Sequence, residues 1–378
     1  MDDNLNFEQL RLLSLSLAKS VDGLKRRSIV KSIVSSLDSG LRIKIVRGFR
    51  GVGKTTAMLH AFAEVPVKSV YFSVDNPAIK SRGVYNSGID GIKQGYFLLF
   101  IDEVHTYPNW RVEIKALHDA NPTLKIVASG SAPIALVPER REELVCMHPM
   151  NFSEFINLKK GETISCSEEW RDKDESITFV ATTPALEGEF YKYIRVGGFP
   201  LSIGLDENKA LEAIYYSIKK SIRDDAVFFL KMSKEKIFAM ENLIIFIATS
   251  KPGELSLTSL SSTLHVSKTV VYEIIDALER MEIIRVIRPF ARGSALVRSE
   301  PKILFFHPNM RFAVCQQLGG VPDKGAIREE LAVFGFSERG WTVHTIKGEK
   351  KSPDYVIEKS GKRLVVEIGG EKKSRKQL

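Results

Sequence analysis

Eight consecutive residues, Gly48-Phe-Arg-Gly-Val-Gly-Lys-Thr55, combine glycines, a lysine and a hydroxyl at a spacing suited to a polyphosphate. Gly48, Gly51 and Gly53 let the backbone curl so that successive N–H groups point inward at anionic oxygens. A helix starting at Lys54 would add the positive end of its dipole. Lys54 is placed to reach the β- and γ-phosphates and the Thr55 hydroxyl to ligate Mg²⁺. Arg50, Val52 and Thr56 complete the set expected to line the nucleotide. The chemistry implied is binding of ATP with Mg²⁺ as cofactor.

A second constellation follows at Tyr96-Phe-Leu-Leu-Phe-Ile-Asp102-Glu103, an apolar run ending in two acids. Asp102 suits the Mg²⁺ coordination shell, and Glu103 suits a group that orients and polarises an attacking water. His105, two residues on, could line the same site. Ser129, in Ser129-Gly130-Ser131 at the end of the next strand, is a candidate sensor of the γ-phosphate; a turn or helix N-cap serine is the alternative. Phosphoryl transfer also needs a cation on the transferring group. Arg140 and Arg141 are the expected suppliers, with Arg50 and Arg195 as rivals and a neighbouring subunit as another source.

Positioning these residues requires strands that end at them. Residues 24–39 have helical apolar spacing, with Gly40 as the stop. Residues 42–47 (RIKIVR) alternate like a strand, and a helix continues over 57–62. Residues 67–74, 96–101, 124–128 and, more weakly, 143–147 read as further strands, with a helix over 110–118. The run at 96–101 is apolar throughout, as in a parallel strand covered on both faces. Strand–helix alternation over 41–150 predicts an open, mostly parallel α/β sheet whose ligands sit at the carboxyl ends of its strands.

These pieces resemble a family of prokaryotic AAA-superfamily P-loop ATPases. The resemblance rests on Arg47-Gly-Phe-Arg-Gly-Val-Gly-Lys-Thr-Thr56, Phe100-Ile-Asp-Glu-Val-His105, Ala128-Ser-Gly-Ser131, Pro149-Met-Asn-Phe-Ser-Glu-Phe155 and Gly197-Gly-Phe-Pro200. It implies a P-loop NTPase parallel sheet, then a helical lid, a winged helix and a small nuclease-like α/β domain. The expected divisions are 1–155 for the ATPase core with its N-terminal helix, 156–250 for the lid, 251–295 for the winged helix and 296–378 for the last domain.

Residues 255–265 and 268–280 read as two short helices joined by Val266-Ser267, with a strand or wing over 283–289. Lys268, Thr269 and Tyr272 at the second helix, with Arg285, Arg288, Arg292 and Arg298, could face DNA. Strands are expected at 302–306, 341–346, 354–358 and 363–368. Glu330, Asp354 and Glu367 occur in the order of a PD-(D/E)xK nuclease core and form a candidate weak metal set. Gly369 stands where that core carries its lysine, so the domain reads as degenerate. The basic tail at 371–378 could touch nucleic acid.

The chain has 378 residues, 44% hydrophobic and 27% charged, with a net charge of +9. That charge is compatible with nucleic acid and with ordinary solubility. Three scattered cysteines, Cys146, Cys166 and Cys315, argue against a disulfide framework and for a reducing, cytoplasmic setting. No run is long and apolar enough for a membrane span, and the histidines show no zinc spacing. The sequence thus predicts an ATP-hydrolysing switch, with DNA or a protein as partner and no membrane; its oligomeric state is open. An ATP-liganded DNA-binding module and a Mg-dependent nuclease are the alternatives.

Overall fold

The apolar strands of the N-terminal half assemble as their composition requires. In the computed structural model, which describes residues 7–38, 40, 43–162, 184–253, 256–291, 300–346 and 353–369, the chain forms two units, Met1–Ser165 and Cys166–Leu378. The first unit opens with α1 (Phe7–Val21) and α2 (Ile29–Ser36), then β1 (Ile43–Arg47) and α3 (Lys54–Glu64). There follow β2 (Ser69–Ser73), α4 (Pro77–Arg82), α5 (Val84–Lys93), β3 (Leu98–Asp102), α6 (Trp110–Ala120), β4 (Lys125–Gly130), β5 (Glu142–Cys146) and α7 (Phe152–Lys160).

The five strands form one parallel sheet in the order β2-β3-β4-β1-β5. β4 therefore lies between the strand leading into the phosphate loop and the strand ending in Asp102. All five residues of β3 are buried, as expected of a strand covered on both faces. β1 is buried except at Arg47, which is half-buried, although its sequence alternates. Lys44 is fully buried there and reaches Glu143 on the neighbouring β5. The alternation is thus a poor guide to exposure at Lys44, whose buried side chain reaches a partly exposed carboxylate on β5. α1 closes one face: Phe7 meets Tyr96 edge-on at 5.0 Å, and Ser14 Oγ donates to the carbonyls of Leu10 and Tyr71.

The second unit begins with α8 (Pro184–Lys192), which runs into a π-helical turn at Tyr193–Gly197. α9 (Glu207–Lys220), another π-helical turn (Ser221–Asp225), α10 (Ala226–Leu230) and α11 (Lys234–Thr249) follow. Next come α12 (Leu257–Leu264), α13 (Lys268–Arg280), β6 (Ile284–Ile287), β7 (Lys302–Phe305), α14 (Pro308–Gln317) and α15 (Lys324–Glu338). Three antiparallel strands end the unit: β8 (Thr342–Thr345), β9 (Tyr355–Lys359) and β10 (Lys362–Val366), in the order β10-β9-β8.

β7, expected among the last strands, instead pairs with β6 as an antiparallel hairpin. The division expected near 295 falls within that hairpin's connection. Cys166, Arg292, Arg298, the tail at 371–378 and residues 163–183 lie outside the described residues. Among the described residues no helix is long and apolar enough to cross a membrane.

Candidate active site

β1 delivers the chain to its turn at Gly48, where a side chain has no room. A Cβ there would collide with the Met147 carbonyl, which leaves the adjacent β5. Gly51 and Gly53 adopt φ of 83° and 91°, a left-handed backbone that favours glycine. The curl closes on the start of α3, whose first residue is Lys54. Lys54 is buried, and its Nζ donates to the carbonyls of Gly48 at 2.8 Å and Phe49 at 2.9 Å. The loop is thus folded around its own ammonium group. Thr55 is exposed at the first turn of α3; Thr56 and Arg50 are half-buried.

Asp102 ends β3 and is almost wholly buried. Its Oδ2 accepts from Tyr71 Oη at 2.8 Å, its Oδ1 accepts the Ser129 hydroxyl, and the Glu103 amide donates to Oδ1 at 2.9 Å. Two neighbouring strands, β2 and β4, therefore aim this carboxylate. Ser129 sits where the sequence places it, at the end of β4, and its hydroxyl is spent on Asp102.

Glu103 has φ of 53°, uncommon for a side chain of its size and a conformation found at functional sites. The bend turns its carboxylate toward β4. Oε1 accepts from Ser131 Oγ at 2.6 Å, Oε2 from the Ser131 amide at 3.2 Å, and His105 Nδ1 lies 3.0 Å from Oε2. Burial pushes the Glu103 carboxyl up, but the His105 hydrogen bond, the Lys54 ammonium and the Ser131 hydroxyl outweigh it and hold it at about 2. It is a carboxylate at any ordinary pH.

Arg140 and Arg141 do not join this site. They are exposed and precede β5, whose first residue pairs with Ile43 and whose last pairs with Arg47. They sit at the amino end of the sheet, about 15–20 Å from the phosphate loop at ~3.3 Å per strand residue. Arg141 pairs there with Asp119. Adjacency to β4 along the chain does not bring them near the phosphate loop of the same chain, because the chain crosses back to the start of β5. Arg195, in the second unit, is tied to Glu207.

The acids of the last domain do not converge either. Glu330 is wholly buried and held by Arg311 at 2.7 Å, while its Oε1 also accepts the Phe305 amide at 2.9 Å. Asp354 and Glu367 do meet, across β9 and β10. Asp354 Oδ2 accepts from the Ile368 amide at 2.8 Å and Glu367 Oε2 from the Asp354 amide at 3.1 Å. Among the described residues no group of three or more His, Cys, Asp or Glu is placed to hold a metal. The three-acid metal set is corrected accordingly: a buried arginine claims its first member.

Residues 41–156 match the family model of an AAA domain. The matched stretch spans the sheet, the phosphate loop and the acidic pair. Residues 187–316, beyond it, match a domain of unknown function, DUF8612. Two uncharacterized proteins of Methanocaldococcus jannaschii align over most of the chain. MJ1637 is 26% identical over 88% of this chain and 76% of its own. MJ1544 is 21% identical over 97% of this chain and 82% of its own. Among solved structures, the Walker-type ATPase PABY2304 of Pyrococcus abyssi overlaps 78% of this chain and 96% of that one, at 13% identity and a TM-score of 0.47. AMPPCP-bound DnaA from Aquifex aeolicus overlaps 66% and 86%, at 17% identity and a TM-score of 0.27.

Sequence reasoning missed Tyr71 and Ser131 as parts of the polar cluster around Asp102 and Glu103. Tyr71 stands in an ordinary strand pattern and carries no signal. Ser131 was visible as the second serine of Ser-Gly-Ser, directly after β4.

Proposed function

We propose that the protein binds Mg-ATP and hydrolyses it, using the cycle as a switch on DNA or on a protein partner. One observation carries this reading. A phosphate loop closed around Lys54 and the clamped pair Asp102–Glu103 occupy the carboxyl ends of strands in one parallel sheet, with β4 between them. The residues fit the nucleotide and its metal. Gly48 gives up its side chain to backbone, Gly51 and Gly53 supply the inward curl, and the helix start adds donors.

In the reaction Lys54 leaves its two loop carbonyls for phosphate oxygens, and Thr55 and Asp102 would hold Mg²⁺. The metal, when bound, neutralises charge on the phosphates. Tyr71 and Ser129 keep Asp102 aimed. Glu103 accepts a hydrogen bond from the attacking water and orients it. Phosphate release measured at steady state tests the scheme. Lys54→Ala abolishes turnover, and Glu103→Gln keeps nucleotide binding while losing turnover; wild-type turnover in Lys54→Ala rejects it.

A second reading treats ATP as a ligand that tunes DNA binding. It is favoured by the element order α12-α13-β6-β7, that of a winged helix, and by Lys268, Thr269 and Tyr272 exposed at the start of α13. Glu273 and Asp276 lie exposed on the same helix and oppose it. The first reading is therefore preferred.

A further inference from the structure

We infer that Arg27 is a positioning residue of the phosphate loop, aiming the Gly53 amide into the triphosphate site; the inference rests on the nucleotide reading above. Arg27 lies just before α2, outside the motif, and is buried. Its Nη1 donates to the Val52 carbonyl at 2.7 Å and its Nη2 to the His148 carbonyl at 3.0 Å. Nε and Nη2 also make a two-point contact with Glu154, at 3.0 and 2.7 Å. Four of the five N–H donors of a guanidinium are thereby used, in the fork geometry that lysine lacks.

The Val52 carbonyl and the Gly53 amide belong to one peptide plane. In a trans peptide the two point in opposite directions, and the described residues hold no cis bond. Drawing the carbonyl toward Arg27 turns the amide the other way, into the concave side of the loop. This plane needs an external grip, because glycines with positive φ flank Val52 on both sides and permit it to rotate. Glu154 fixes the arginine and is itself well fixed. Its amide donates to the capping Asn151 side chain at 2.9 Å, and its Oε1 accepts from the Ser28 amide and hydroxyl at 3.1 Å each. The Pro149–Phe155 motif thus acts on the phosphate loop through Arg27.

Removing one partner strands a buried charge, so the informative variant is the neutral pair Arg27→Gln/Glu154→Gln. Arg27→Lys keeps the charge and gives up the fork. Amide hydrogen exchange is read over residues 48–55 in nucleotide-free full-length protein, alongside calorimetric titration with Mg-ATP. In the neutral pair, exchange over 48–55 quickens about tenfold while β3 and β4 keep their protection, and the Kd for Mg-ATP rises roughly tenfold. Arg27→Lys moves both in the same direction by less and decides the matter if the neutral pair does not fold. Wild-type exchange and wild-type Kd in a folded variant overturn the inference. If wild-type protein binds no Mg-ATP, the nucleotide reading fails, and the exchange data still report whether Arg27 grips the loop.

Discussion

Asp102 is held by Tyr71 from one strand and by Ser129 from another. Partners that orient a metal ligand are typically worth ten- to a hundredfold in metal affinity or activity. Tyr71→Phe removes the bond to Oδ2 and keeps the ring. It is expected to raise the Mg²⁺ concentration for half-maximal phosphate release about tenfold, with little change in melting temperature; a Mg²⁺ titration checks this. The loop tolerates no side chain at Gly48, because the Met147 backbone already occupies the space. Gly48→Ala is expected to reduce Mg-ATP affinity by more than tenfold, measured calorimetrically. At this scale the sequence was readable wherever chemistry imposes spacing. Lys54, Thr55, Asp102 and Glu103 stand out because the proposed polyphosphate site would demand them. Tyr71, Ser131 and Arg27 do not, since what they do depends on which strands and loops become neighbours.

Among elements, side-chain and backbone hydrogen bonds join the π-helical turn at Tyr193–Gly197 to the start of α14. Asn309 accepts from the Gly198 amide at 2.6 Å and donates to the carbonyls of Tyr193 and Ile194 at 3.0 and 2.6 Å. A Cβ at Gly198 would meet His307 and Asn309. Gly198→Ala is therefore expected to lower stability by about 1–3 kcal/mol, read from denaturant unfolding. The Gly-Gly-x-Pro motif is legible in the sequence, and its need for small residues is explained here by this junction. The hairpin β6–β7 was less legible. Its strands lie 14 residues apart in the chain, between Ile287 and Lys302, and nothing in either strand names its partner. Glu330 misled for a related reason: order along the chain suggested a metal set, while packing gave it to Arg311.

For the whole molecule, acid should act through His307. It is wholly buried, and its Nδ1 accepts the Asn309 amide at 3.3 Å as the N-cap of α14. Burial first, and then the Arg285 charge, hold it at about 3. The unfolded chain takes up this proton as pH falls below about 6.5, and the folded chain does not until about 3. Stability is therefore full above 6.5 and falls as pH drops toward 3, by at most ~1.4 kcal/mol per pH unit from this group. His307→Gln should flatten that dependence relative to wild type in urea unfolding between pH 7 and 5. The net charge of +9 predicts that any DNA affinity is steeply salt-dependent; no shift with duplex or single-stranded DNA at low salt removes the second reading. Alternating buried strands and helices made the first unit legible as a parallel α/β domain. The second unit was less so, because short helices and hairpins carry weaker periodic signals.

Titration of the full-length protein with Mg-ATP by calorimetry bears most directly on all of this. Saturable heat with one site per chain, absent in Lys54→Ala, is the predicted outcome. Binding of equal strength in wild type and Lys54→Ala, or no heat from either, would contradict the account.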